Sequence, residues 1–321
     1  MGAKARAIDL LGHRAVAWAT ASTLGGRLRI VAYHDVPDPT ALRWHLQHIA
    51  EHFQIVSGSQ VQHASTTGGA QLPRRSIWIT FDDGYPAVFE HAQPLLEEHG
   101  LTATVYVCPG LVGTTEPFWW DVARAAARHG LAAEIDGAHM PPGQIEGALK
   151  RCADTSRRAT IAELEERLEA AAGARPSRLQ ASTAHLQGWL AAGHEVGNHT
   201  WDHPCLDRCS DEEQRRQIGS AHEWLDEALG ALVTTFAYPN GNWAPSAETE
   251  LQELGYRTAV GFDHRLASRR NHPLRLSRLR LDTDAPPARA RAVIAGTHPA
   301  LMAGRDRILS GHRPDPRRLP R

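Results

Sequence analysis

The sequence predicts a single barrel-like α/β domain. Strand-like and helix-like runs alternate over roughly 250 residues. One strand–helix–strand unit is plain between residues 76 and 107. Polar clusters stand just after three of the predicted strands, where α/β folds build their sites. Of the 321 residues, 42% are hydrophobic and 22% charged, which excludes collagen-like, low-complexity and mostly disordered chains. A chain of this length buries a large core without staples.

Arg29–Tyr33 reads as the first strand, closed by the turn residues His34-Asp35-Val36-Pro37-Asp38-Pro39. Leu42, Leu46, Ile49 and Phe53 recur at helical spacing, and residues 54–56 make a second short strand. Ser76–Phe81 is a buried strand ending at Asp82-Asp83-Gly84. A helix over 86–99 stops at Gly100, and residues 102–107 form the next strand, so this unit signals parallel pairing. Residues 118–128 read as a helix, 131–151 are mixed and broken by Pro141-Pro142-Gly143, and 160–172 are helical. A helix over 184–192 stops at Gly193, and 194–198 is a short strand running into a loop. Asp211–Leu229 is a helix with Ser210 as its cap. Residues 233–237 make a strand ending in Tyr238-Pro239-Asn240-Gly241. A helix over 246–254 ends at Gly255, and strands follow at 257–260 and 276–281. The last 35 or so residues, rich in Pro and Arg, read as a loosely held tail.

The net charge of −1 hides a division, because residues 265–321 carry 14 Arg against 4 Asp, or +10, and leave −11 for the rest. No run of 18 apolar residues exists, so no membrane-spanning helix is expected. The apolar N-terminal stretch is broken by His13 and Arg14, so no export signal is read and a cytoplasmic location is expected. Four Cys are too few for a disulfide scaffold, and Cys205 and Cys209 read as ordinary thiols ahead of zinc ligands.

The first polar cluster is Thr80-Phe81-Asp82-Asp83-Gly84. Adjacent carboxylates at a strand mouth repel, and a cation bound to one relieves that cost; the competing reading is a pair of solvated turn residues. The second is His199-Thr200-Trp201-Asp202-His203, where His at i and i+4 can face one way on a helical turn and chelate a divalent metal; the competing reading is two surface His in a His-rich chain. The third, Tyr238-Pro239-Asn240-Gly241, is a turn that can aim backbone N–H groups into a cleft. Together these supply amide or ester hydrolysis. Asp83, His199 and His203 make a three-ligand site with an open position for water, and Asp82 is left as a base.

In these clusters the chain resembles the polysaccharide deacetylases (the NodB-homology domain, carbohydrate esterase family 4). The first cluster looks like their first motif, and the second matches their His-Ser/Thr-x-x-His motif in order and separation. Tyr33-His34-Asp35-Val36, Phe236-Ala237-Tyr238-Pro239-Asn240-Gly241 and Phe118-Trp119-Trp120-Asp121 with the helices after it also resemble relatives. The resemblance covers roughly residues 29–283. It implies a distorted (β/α) barrel of about seven parallel strands. The expected organisation is an N-terminal extension over 1–28, a catalytic domain over 29–283 with a helical insertion at about 116–180, and a basic tail over 284–321.

The resemblance further implies removal of N-acetyl groups from a GlcNAc-type glycan or glycan precursor. Asp82 would be the base that takes a proton from metal-bound water, and Asp83, His199 and His203 would hold the metal, most often zinc. Tyr238, Pro239 and Asn240 would meet the substrate, the Asn240 N–H serving the oxyanion. Two features depart from the family. Ala237 stands where many members carry an Arg turned toward the catalytic Asp, and the late Leu-x-His motif that supplies the general acid is absent. His34, His298 and a metal-bound His are the candidates for that proton donor.

Two alternatives stand beside this reading: an allantoinase-like hydrolase of a non-carbohydrate C–N bond, and a silent glycan-binding protein. Trp119, Trp120, Trp201 and Trp243 are offered equally as sugar-stacking surfaces and as packing. No nucleic acid is expected as a partner. The basic end suits peripheral contact with a membrane or an anionic lipid-linked substrate, or is simply solvated. The sequence sets no oligomeric state.

Overall fold

The computed structural model describes residues 11–66, 72–230, 233–268 and 271–301. Four strands come first: β1 (Arg29–Tyr33), β2 (Gln54–Ile55), β3 (Ser76–Phe81) and β4 (Ala103–Val107). The insertion holds an antiparallel hairpin, β5 (Ala133–Ile135) and β6 (Ala138–Met140). The remaining strands are β7 (Glu195–Asn198), β8 (Thr235–Ala237), β9 (Thr258–Val260) and β10 (Leu279–Arg280). Seven of them lie in the order β10-β1-β3-β4-β7-β8-β9, and β2 joins the sheet beside β3. Every pairing in this sheet is parallel. That is the distorted (β/α) barrel with about seven strands on its path.

The ring is open between β9 and β10, and residues 276–280 cross the gap. Leu276 bridges Val260 of β9, while Leu279 pairs with Val31 of β1. Side chains alternate along each strand, and this sets the site. In β3, Ile77, Ile79 and Phe81 face outward into the main core with the helices, whereas Trp78 lies in the small inner cluster with Ile30, Tyr106, Ala237 and Val260. Continuing that inner face by twos gives Thr80 and then Asp82. Tyr106 fills the barrel against Gly197, where an added Cβ would sit 2.4 Å from the ring.

Helices form where the sequence caps them. Pro39–His52 begins at Asp38, whose carboxylate accepts from the Thr40 N–H, and buries Leu42, His45, Leu46 and Ile49. Asp211–Leu229 begins at Ser210, which accepts from the Glu213 N–H, carries three acids in its first turn, and ends at left-handed Gly230. The helix expected at 86–99 is a π-helical turn over Val88–Ala92 that runs into Gln93–Glu98. The insertion helix is longer than expected, Asp154–Ala172.

The ends of the described chain differ from expectation. Part of the segment read as tail is a helix, Pro287–Ala295, which buries Ala290, Val293 and Ile294. Its i, i+3, i+4 pattern is short and set among Arg and Ala, so it carries little periodic signal. Residues 302–321 lie outside the described residues. A second unforeseen helix, Arg14–Thr23, packs against it. Buried Arg29 ties both to β1, donating to the carbonyls of Ile294 (2.8 Å), Ala295 (3.2 Å) and Ala21 (3.5 Å). A guanidinium suits helix C-termini, where carbonyls lack partners. Among the described residues, no helix is long and apolar enough to cross a membrane.

Candidate active site

The three clusters converge at the C-terminal ends of β3, β7 and β8. Their backbones are unusual. Asp83 (φ 73°), Thr200 (φ 70°), His203 (φ 61°) and Asn240 (φ 55°) are all left-handed, which L-residues rarely adopt. Such strain collects where a fold over-determines a site.

Asp82, 2% exposed, sits at the inner end of β3. Arg278, fully buried, meets it with a two-pronged bond: Nη1 to Oδ1 at 2.6 Å and Nη2 to Oδ2 at 2.7 Å. Arg278 also donates to Thr80 Oγ1 (3.1 Å) and the Gly261 carbonyl (2.7 Å). Burial alone would raise the Asp82 pKa. The charge of Arg278 outweighs it, helped by His199 and His34, and the net shift is downward. Asp82 is therefore an ionised carboxylate inside the barrel. Arg278 comes from the stretch that closes the ring, and it supplies the guanidinium that Ala237 does not. The sequence signal for it is faint: one Arg within the apolar run Leu276-Ser277-Arg278-Leu279.

Asp83, His199 and His203 are buried, and their ligand atoms lie within 4.8 Å of one another. Among the described residues no other such group of three occurs. Both Nε2 atoms stand 3.5 Å from Asp83 Oδ1, and that oxygen has no hydrogen-bond partner. His199 Nδ1 is 2.7 Å from the Ala237 carbonyl, which can only accept, so Nδ1 carries the proton and Nε2 presents a lone pair. Burial, then the neighbouring His199, pushes His203 down to about 3, so it is neutral at ordinary pH. Asp83 is held well below the usual carboxylate range by the facing imidazoles, against the opposing effect of burial. Lone pairs converging on a buried, orphaned carboxylate oxygen fit a divalent cation.

The second-motif loop is not the helical turn its i, i+4 spacing suggests. Its left-handed residues are held by side chains: Asn198 Oδ1 accepts from the Thr200 N–H (2.7 Å), and Thr200 Oγ1 accepts from the His203 N–H (3.1 Å). Asn198 is anchored by donating to Tyr256 Oη (2.8 Å). The insertion supplies a wall. Trp119 donates to the His203 carbonyl (3.1 Å), the Trp120 ring stands edge-on to His203 at 4.5 Å, and Arg158 bonds both oxygens of Asp202 at 3.0 Å. Trp119 and Trp120 are buried, so packing is their role in this wall; Trp201 and Trp243 stay half-buried.

In the third motif, the N–H groups of Gly241 and Asn242 bond within the turn, to Tyr238 O (2.7 Å) and Pro239 O (3.0 Å), and that of Asn240 is unused there. The Tyr238 side chain is fully buried and packs on Phe236, so only its backbone lies along the turn. Of the proton-donor candidates, His34 is beside the base, with Nε2 3.9 Å from Asp82 Oδ2 and a 41% exposed ring. His298 instead pairs with His264 at 2.9 Å. Next to His34, Arg178 of the insertion bonds Asp35 (2.7 Å) and lies 4.0 Å over the Tyr85 ring.

Comparison with known proteins bears on the family and the fold. The family profile described as "Polysaccharide deacetylase" matches residues 69–184 and 177–259, more than half of the chain. A chitooligosaccharide deacetylase of Azorhizobium caulinodans is 38% identical over 66 residues, 20% of this chain and 31% of that protein. The putative polysaccharide deacetylase YxkH of Bacillus subtilis is 18% identical over 262 residues, 79% of this chain and 71% of that protein. Among solved structures, the Streptococcus pyogenes deacetylase PplD matches with a TM-score of 0.58 at 19% identity, over 84% of this chain and 98% of that one. IcaB from Ammonifex degensii matches with a TM-score of 0.58 at 17% identity, over 85% and 98%. These structural likenesses speak for the fold. The profile match decides the family: this chain belongs to the polysaccharide deacetylase family.

Proposed function

We propose that the protein is a metal-dependent hydrolase that removes N-acetyl groups from a GlcNAc-type glycan or glycan precursor. The observation that carries this reading is the pairing of an ionised, Arg278-bound Asp82 with an Asp83–His199–His203 ligand set beside it. A protein that only bound glycan would gain nothing from a buried, unligated carboxylate held in its charged form.

A divalent metal, zinc by the resemblance, held by Asp83, His199 and His203 supplies Lewis acidity, lowering the pKa of water and polarising the acetyl carbonyl. Asp82 takes the proton of the attacking water. Arg278 keeps it ionised and fixes its plane, so both oxygens hold one direction. The Asn240 N–H donates to the developing oxyanion. His34 gives the proton to the departing amine, and acetate and a free amino sugar result. Pro239 sets the turn that presents Asn240, and Tyr238 anchors that turn from within the core.

The test is acetate release from N-acetylglucosamine oligomers, with zinc present and after chelation. Release that vanishes on chelation and returns with metal is expected. No release from acetylated sugars, with turnover of small cyclic amides, would assign the site to a non-carbohydrate C–N bond.

A further inference from the structure

The end of the barrel opposite the site holds a cavity of about 640 Å³. It is framed by the helices Arg14–Thr23, Pro39–His52 and Pro287–Ala295, and none of the residues of the proposed reaction reach it. Its place in the fold is fixed by Arg75, immediately before β3, because Asp82 follows that strand's other end. Six residues of strand separate the two ends by about 20 Å.

The walls combine two chemistries. Trp18, Trp44 and Phe53 make them apolar, and Arg14, Arg75 and Arg291 make them cationic. None of these arginines has a carboxylate within 4.0 Å among the described residues. The acid of the cavity, Glu51, is 3.8 Å from His52 instead. Arg14 and Arg291 are close enough to repel: Arg291 is lowered first by burial and then by Arg14. His48 is pushed down to about 4 by burial, His52 and Arg291, so it adds a neutral wall. Of the lining residues, Trp18 is 62% exposed. Arg291 donates to the Gly12 carbonyl (2.8 Å) and lies over the Trp44 ring, so its charge is held in place with no carboxylate to offset it. A large aromatic left in water beside arginines that lack a carboxylate partner is the pattern of a surface that meets lipid headgroups.

We propose that this cavity takes the phosphate and the adjoining acyl segment of an anionic membrane lipid, docking the barrel by the end remote from its site. The arginines supply the charge complement to phosphate, and the aromatic walls cover the first methylenes. Arg291 belongs to the basic stretch of the sequence, so part of that charge has a folded use. Docked this way the barrel mouth faces away from the bilayer; resting on the proposed function, that suits a glycan in the aqueous phase.

The full chain is sedimented with vesicles of phosphatidylcholine containing a third phosphatidylglycerol, and with pure phosphatidylcholine. Binding to the anionic vesicles alone is expected. Arg14→Ala weakens it about fivefold, the usual contribution of one surface arginine, and adding Trp18→Ser weakens it further. Both residues are exposed and remote from the site, so acetate release stays unchanged and reports folding. Equal binding by wild type and double variant would overturn the proposal, because the vesicles would then be held elsewhere on the chain. So would absence of binding, stabilisation by inorganic phosphate without vesicle binding, or a dimer that Trp18→Ser dissolves.

Discussion

Replacing Arg278 by Met tests how the base is kept charged. The side chain is fully buried, and the change removes both bonds to Asp82 and the donor to the Gly261 carbonyl, while roughly keeping its volume. Breaking one side of a buried ion pair costs about 3–5 kcal/mol, since the other charge is stranded. Asp82 answers by protonating. In the wild type its folded pKa lies below the ordinary carboxylate value, so its contribution to stability is present above the unfolded pKa and lost as pH falls through the folded one. In Arg278→Met burial loses its main opponent, with only His199 and His34 left to offset it, and the folded pKa rises. The deficit then grows as pH rises past the unfolded carboxylate range, and shrinks in acid. Urea unfolding at mildly acidic and neutral pH reads this directly, and adding Asp82→Asn removes the pH dependence of the deficit. In acetate release, the acid limb of the rate profile moves to higher pH. Arg278→Lys, which keeps the charge but not the fork, restores part of it. A folded, metal-loaded Arg278→Met with an unmoved acid limb would show that Arg278 does not keep Asp82 charged.

His34→Gln should lower kcat by about 10²–10⁴ with metal content unchanged, as loss of a general acid does; unchanged kcat would return the role to a metal-bound His. Gly197→Ala places a Cβ 2.4 Å from the Tyr106 ring, and should cost about 1–3 kcal/mol, seen as a lower unfolding midpoint. Arg29→Met strips the donors to the Ile294 and Ala295 carbonyls and should cost about 3 kcal/mol, with amide exchange over Pro287–Ala295 accelerating first.

What the sequence discloses and what it hides divide along physical lines. Buried parallel strands are apolar runs, so β3, β4 and the strands bearing the second and third clusters are legible, and each cluster follows its strand directly. Local backbone strain is not legible. Nothing in the string His199 to His203 reveals two left-handed residues, and the loop's shape depends on Asn198 and Tyr256, which are 58 positions apart. Arg278 is hidden for the same reason. It meets Asp82 across 196 residues, and only closure of the ring brings them together. The family's usual Arg position is empty at Ala237, yet the site holds a guanidinium, so motif matching understates the site. The helix Pro287–Ala295 is missed because Ala and Arg mask a short buried face.

The proposed role of Asp82 is that of a base beside a metal it does not hold. Its most direct test is Asp82→Asn, compared with wild type for acetate release and bound metal in the same preparation. Loss of release with metal retained at the wild-type level is expected. Release that persists in the metal-loaded variant would contradict it.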